Sequence, residues 1–123
     1  MKKIVVTGAT GFIGSHLIKS PSLKCCELSV LSRRRQKGLE TIICDLKSDF
    51  TIGNAFKGVK TIYHLAGLAH DLGNSSKFES LYRKVNYDAT IRLIEFAAEQ
   101  RVEKFIFVSS VKAGVHLKTK KSY

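Results

Sequence analysis

No apolar run in this chain approaches the roughly 20 residues that a bilayer-spanning helix requires, so no membrane span is expected. Met1-Lys2-Lys3 carries the charge of a signal peptide, but the apolar stretch behind it is interrupted at Gly8, too early for an export signal. The expected location is the cytoplasm. Cysteine is scarce: Cys25, Cys26 and Cys44 make an odd set, two of them adjacent, with no paired histidines. That spacing argues against zinc, no metal is expected, and the three read as small apolar fillers in or near strands. Acids are few, 10 Asp and Glu against 21 Lys and Arg, which leaves a formal net charge of +11. The surplus invites a nucleic-acid reading. Its distribution weakens that reading, because basic residues are spread along the chain apart from the cluster Arg33-Arg34-Arg35, and neither an RNA-binding aromatic motif nor a helix-turn-helix signal is present. Solvated lysines are the simpler account. Repeats and low-complexity tracts are lacking too, and 123 residues suit one domain with its own core.

What is present is organised around Thr7-Gly8-Ala9-Thr10-Gly11-Phe12-Ile13-Gly14-Ser15-His16-Leu17. The stretch follows the β-branched run Ile4-Val5-Val6 and leads into residues that can continue a helix. A strand entering a helix through a glycine-rich turn is the dinucleotide-binding arrangement, here spaced G-x-x-G-x-x-G. Gly8 allows the sharp turn, Gly11 leaves room for a pyrophosphate to meet backbone, and Gly14 lets the helix pack closely on its strand. Unpaired N–H groups at the helix start would face the phosphates.

Strand and helix signals then alternate with short connections, as in βαβ units. Strands are expected over 3–7, 28–31, 39–44, 61–65 and 104–109. Helices are expected over 12–20, where Phe12, Ile13, Leu17 and Ile18 are available to cover a sheet, and over 77–100, with a short helical turn at 52–56. Phe78, Leu81, Tyr82, Val85, Ala89, Leu93, Phe96 and Ala97 recur at three- and four-residue steps and give the long helix one apolar face. The stretch 66–76 reads as a loop. The expected fold is an α/β Rossmann-like, doubly wound parallel sheet of about five strands in the order 3-2-1-4-5. Residues 1–113 would form it, incompletely, and 114–123 would be a basic tail.

With these residues in place, the chain resembles the extended short-chain dehydrogenase/reductase family, in its nucleotide-sugar branch of epimerases, dehydratases and 4-keto reductases. The resemblance runs from Lys2 to about Ala113. It implies a dinucleotide held by Thr7, Gly8, Gly11, Phe12, Ile13 and Gly14. Ser32 and Arg33 would meet the adenosine ribose, where an arginine in place of a carboxylate favours NADP(H) and leaves NAD open. The pair Asp45-Leu46 is similar to the family's adenine-side Asp-Leu, although an aspartate at a strand end is also a routine turn former. Leu65, Ala66 and Gly67, after His64, correspond to the segment beside the cofactor ribose. His64 itself can equally be a satisfied structural histidine, and His70 and Asp71 could face a substrate. Asn86, in Val85-Asn86-Tyr87, would help to hold the cofactor-side loops or face solvent.

Ser109-Ser110 matches the family's Ser-Ser, and Ser110 is the candidate for orienting the substrate oxygen. The family also uses a Tyr-x-x-x-Lys pair, in which lysine and the oxidised ring lower the tyrosine pKa. None of Tyr63, Tyr82, Tyr87 and Tyr123 has a lysine four residues on. The expectation is therefore the cofactor-binding portion of a nucleotide-sugar enzyme, a truncated product inactive alone, which either self-associates or needs a complementing C-terminal fragment. A non-catalytic dinucleotide-binding or interaction module is the alternative.

Overall fold

The computed structural model describes residues 2–65, 80 and 83–108. Its five strands are β1 (Lys2–Thr7), β2 (Cys26–Ser32), β3 (Glu40–Ile43), β4 (Val59–His64) and β5 (Lys104–Phe107). They form one sheet in the order β3-β2-β1-β4-β5, and each neighbouring pair is parallel. The doubly wound fold expected from the sequence is therefore present. Register aligns the strand ends: Thr7 lies opposite Leu31 and His64, and His64 lies opposite Phe107.

Alternation along β1 feeds two cores, because successive strand residues point to opposite faces. Val5 joins Leu31, Ile62, Phe50, Ile52 and Phe56 beneath Ala89, Leu93 and Ala97 of α2 (Ala89–Glu99). Ile4 and Val6 join Val30, Ala9 and Leu23, with Leu17 and Ile18 packed against them. Phe56, Ile62 and Leu93 are fully buried, each contributing about 1.5–3 kcal/mol of transfer free energy.

Several elements differ from their sequence expectation, each for a physical reason. α1 spans Phe12–Leu17 and not 12–20, since Ser20 instead caps a 3₁₀ turn at Pro21–Leu23 by accepting from the Ser22 N–H. Only Leu17 and Ile18 of its apolar residues pack on the sheet; Phe12 and Ile13 remain 80% and 54% exposed. The expected helical turn at 52–56 is a run of turns, closed by Ala55 N–H to the Ile52 carbonyl, Lys57 to Asn54 and Val59 to Phe56. Gly53 and Gly58 have positive φ there, and the Gln100 side chain accepts from Phe56 N–H while donating to the Gly53 carbonyl. Those side-chain bonds replace a helical ladder. Cys44 is buried and Cys26 half-buried, but Cys25 is exposed, contrary to the filler expectation.

The long helix has a wide turn before α2: Lys84–Asp88 is π-helical. Val85, Ala89, Leu93 and Ala97 are all buried, although they are spaced four apart and would drift by about 40° per step around a regular α-helix. A wider turn rotates less per residue, which keeps Val85 on the buried face. The segments 66–79, 81–82 and 109–123 lie outside the described residues, and with them Ala66, Gly67, His70, Asp71, Phe78, Leu81, Tyr82, Ser109, Ser110 and the tail. Among the described residues no helix is long and apolar enough to cross a membrane, and no group of three or more His, Cys, Asp or Glu could hold a metal ion.

Candidate functional site

The C-terminal ends of β1, β2 and β3 open onto one cavity of about 170 Å³, lined by Gly8, Leu31, Ser32, Arg33, Cys44, Asp45, Leu46, Lys47 and Val85. Five residues chosen from sequence, Gly8, Ser32, Arg33, Asp45 and Leu46, thus meet at the crevice where open parallel sheets take their ligands. Leu31, Cys44, Lys47 and Val85 were not assigned to it. Lys47 sits two residues past Asp45, and Val85 adjoins Asn86, so position next to a chosen residue was the available signal.

The glycine turn is built as its spacing requires. Gly8 has φ of +72°, a conformation that side chains resist. A Cβ at Gly14 would strike the Gly8 carbonyl oxygen and lie 2.8 Å from its carbon and 2.9 Å from Ala9 Cα. Gly11 is different: it is exposed, and a Cβ there would meet only the Gly8 oxygen at 3.4 Å. Local packing therefore tolerates a side chain at Gly11, and the open space in front of it is where a ligand would approach. Phe12 and Ile13 extend beside this opening at the start of α1; the Phe12 ring lies tilted against His16 with centroids 4.7 Å apart.

Ser32 and Asp45 spend part of their hydrogen-bonding capacity on local shape. The Ser32 hydroxyl accepts from Arg34 N–H at 3.3 Å and from Gln36 Nε2 at 3.1 Å, folding the arginine run back across the end of β2. Arg33, Arg34 and Arg35 are all exposed. Asp45 Oδ1 accepts from Lys47 N–H at 2.9 Å, the Asx turn expected of a strand-end aspartate. The turn and the cavity wall are the same structure. Cys44 supplies no nucleophile, because burial, helped by the Asp45 carboxylate, pushes its thiol up to about 11.

Thr7, Leu65 and Asn86 stand behind the opening. Leu65 N–H donates to both the carbonyl and the hydroxyl oxygen of Thr7, at 3.2 and 3.0 Å. Thr7 and His64 are fully buried, with Thr7 Oγ1 2.7 Å from His64 Nδ1 and His64 Nε2 2.8 Å from Thr90 Oγ1. The Phe107 ring stacks on the imidazole with centroids 5.3 Å apart. Burial lowers the His64 pKa from 6.5 to about 4, so the ring is neutral near pH 7. His64 is held as a structural histidine. Asn86 lies in the wide turn, its carbonyl accepting from the Thr90 hydroxyl at 3.1 Å.

A parallel sheet that switches direction between β1 and β4, with a glycine turn at the switch, defines a dinucleotide-binding fold of the Rossmann class. The profile of the NAD dependent epimerase/dehydratase family matches residues 4–116, and the chain belongs to that family. It is similar to the UDP-glucose 4-epimerase of Vibrio cholerae, with 32% identity over 118 residues covering 92% of this chain and 36% of that one. Among solved structures it is similar to MoeE5 in complex with UDP-glucose and NAD, with TM-score 0.74 and 32% identity over 89% of this chain and 36% of that one. The UDP-N-acetylglucosamine 4-epimerase from Methanobrevibacter ruminantium M1, in complex with UDP-N-acetylmuramic acid, matches with TM-score 0.73 and 29% identity over 89% of this chain and 38% of that one. The chain thus spans somewhat over a third of the length of these relatives.

Proposed function

We propose that this chain binds NAD or NADP as the cofactor-holding part of a nucleotide-sugar epimerase, dehydratase or 4-keto reductase. The observation that carries the reading is the meeting of Gly8, Ser32, Arg33, Asp45 and Leu46 around one cavity at the strand ends. The residues fit the group: the turn at Gly8, Gly11 and Gly14 leaves backbone open to a pyrophosphate, and Asp45 and Arg33 line the adenosine side. When bound, the nicotinamide would exchange a hydride with a sugar carbon. Arg33 and Lys47, two cations on one cavity wall, favour a 2′-phosphate through charge-assisted hydrogen bonds and so favour NADP(H). Ser110 would orient the sugar oxygen. Its unassisted hydroxyl is a poor base near neutral pH, and no Tyr-x-x-x-Lys pair occurs in the 123 residues, so this chain by itself would bind cofactor without turning over a sugar. The second reading is a non-catalytic dinucleotide module, in which the same cofactor residues serve binding alone.

Calorimetric titration of the chain with NADPH and NADH tests the site. Gly11→Val places a branched side chain in the opening and should abolish binding of both. Arg33→Ala should weaken NADPH about tenfold with little effect on NADH, and added salt should narrow the wild-type preference. Equal affinity of wild type and Gly11→Val would reject the glycine-turn site, and tighter binding of NADH by wild type would reject the arginine's role. Adding a fragment that carries a Tyr-x-x-x-Lys helix separates the two readings, because restored sugar turnover supports the enzyme and persistent silence supports the module.

A further inference from the structure

Behind the candidate cofactor opening, five residues are joined by a run of hydrogen bonds, the central two buried, whose direction can be worked out. The Thr90 hydroxyl donates to the Asn86 carbonyl at 3.1 Å, and a carbonyl can only accept. Having spent its proton there, Thr90 Oγ1 must accept from His64, 2.8 Å away, so His64 carries its proton on Nε2. In the neutral ring Nδ1 is then an acceptor and takes the Thr7 hydroxyl proton across 2.7 Å. Thr7 Oγ1 in turn accepts from Leu65 N–H at 3.0 Å. Protons thus point one way along the chain, from Leu65 through Thr7, His64 and Thr90 to Asn86. Thr7 and His64 are fully buried, and Thr90 is 5% exposed, which makes each bond sensitive to the loss of its neighbour.

Neither His64 nor Thr90 lines the cavity of the candidate site. The chain nevertheless runs from the last residue of β1, where the glycine turn begins, to the π-helical turn at Lys84–Asp88, whose Val85 forms part of the cavity wall. A rare wide turn beside a site is a recurring way to aim residues at it.

We propose that Thr7, His64 and Thr90 are positioning residues that lock the glycine turn to the π-helical turn, so that the hydroxyl of Thr90 sets dinucleotide affinity from outside the binding cavity. The proposal rests on the dinucleotide reading and adds to it His64 and Thr90, which line no part of the cavity. With the chain intact, Thr7 and the Asn86 turn are held in one register before a ligand arrives, and no binding free energy is spent on ordering them.

The test compares the full 123-residue chain with its Thr90→Val and Thr90→Ser variants. Valine keeps the shape and deletes the hydroxyl that accepts from His64, whereas serine keeps the hydroxyl. Thr90→Val should speed hydrogen exchange of the Leu65 amide about tenfold and raise the NADPH dissociation constant about tenfold, and Thr90→Ser should return both toward wild type. Nitrogen-15 shifts of the His64 ring in wild type should report the Nε2–H tautomer. If Thr90→Val lowers the melting temperature but leaves both the Leu65 exchange and the NADPH affinity unchanged, Thr90 serves packing alone and the proposal is overturned. An Nδ1–H tautomer in wild type overturns it too. Should Thr90→Val fail to fold, Thr90→Ala removes the same hydroxyl with a better helix former. A wild-type chain that binds no dinucleotide rejects the cofactor reading, and the tautomer and Leu65 exchange then decide whether the lock exists without it.

Discussion

His64 is neutral because charging it would put a cation in a fully buried position beside two phenylalanine rings and two hydroxyls. Phe105 and Phe107 lie 5.8 and 5.3 Å from it between ring centroids. Its folded pKa of about 4 lies below the ordinary 6.5, so between these values the unfolded chain binds more protons than the folded one. The contribution is fully present above pH 6.5 and is lost as pH falls through 4, up to about 3 kcal/mol. Urea unfolding from pH 7.5 to pH 4 should show this loss, and His64→Gln should flatten that part of the slope; an identical slope in the variant would reject the assignment. The glycines make a second comparison at this scale. Gly14→Ala drives a methyl into the Gly8 backbone and should cost about 1–3 kcal/mol of stability. Gly11→Ala meets nothing closer than 3.4 Å and should cost less than about 1 kcal/mol, while weakening NADPH binding. Equal stability losses in the two variants would show that the glycines have no division of labour.

Elements were legible in the sequence where periodicity and a core agreed. Ile4-Val5-Val6 and Thr61-Ile62-Tyr63 could hardly be other than buried strands, and strand order followed from the doubly wound arrangement with its switch beside the glycine turn. What escaped was decided by side chains far away in sequence. Gln100 holds the turn at Gly53 and Phe56 from 47 and 44 residues downstream, and no local signal announces that. Arg92 likewise lies over Phe50 at 5.2 Å and donates to its carbonyl at 2.7 Å. The glycine turn, Arg33 and Asp45 could be chosen because their chemistry is local; the direction of the His64 chain could not, since it needs Thr7 and Thr90 together. The end of α2 supplies a prediction at this scale. Val102 N–H bonds to the Ala97 carbonyl and Arg101 N–H to the Ala98 carbonyl, the paired bonds of a Schellman cap. Its left-handed residue is Arg101, with φ of +62°, where glycine would be unstrained. Arg101→Gly should raise stability by about 0.5–1 kcal/mol, read from the urea midpoint at unchanged slope. A loss would mean that Arg101 makes a contact worth more than the strain.

At the scale of the whole molecule, two properties oppose each other. Among the described residues β5 pairs only with β4, and Ile106 and Val108 are each 37% exposed. An apolar strand with its outer edge unpaired is a template for another copy. The formal charge of +11 pushes copies apart. Salt weakens the repulsion and leaves the apolar attraction. Self-association of the 123-residue chain should therefore rise with ionic strength, the reverse of an assembly held by ion pairs. Sedimentation velocity at low and high salt measures this directly, and Ile106→Lys, which puts a charge on the edge strand, should keep the chain monomeric in both. The fold should survive that change, since Ile106 is partly exposed and the two cores do not include it. NADPH should bind the variant as it binds wild type, because the candidate cavity is on the β1, β2 and β3 side of the sheet. A wild-type chain that stays monomeric at high salt would show that the edge at β5 is covered. Association that weakens with salt would place the contact on charged groups instead.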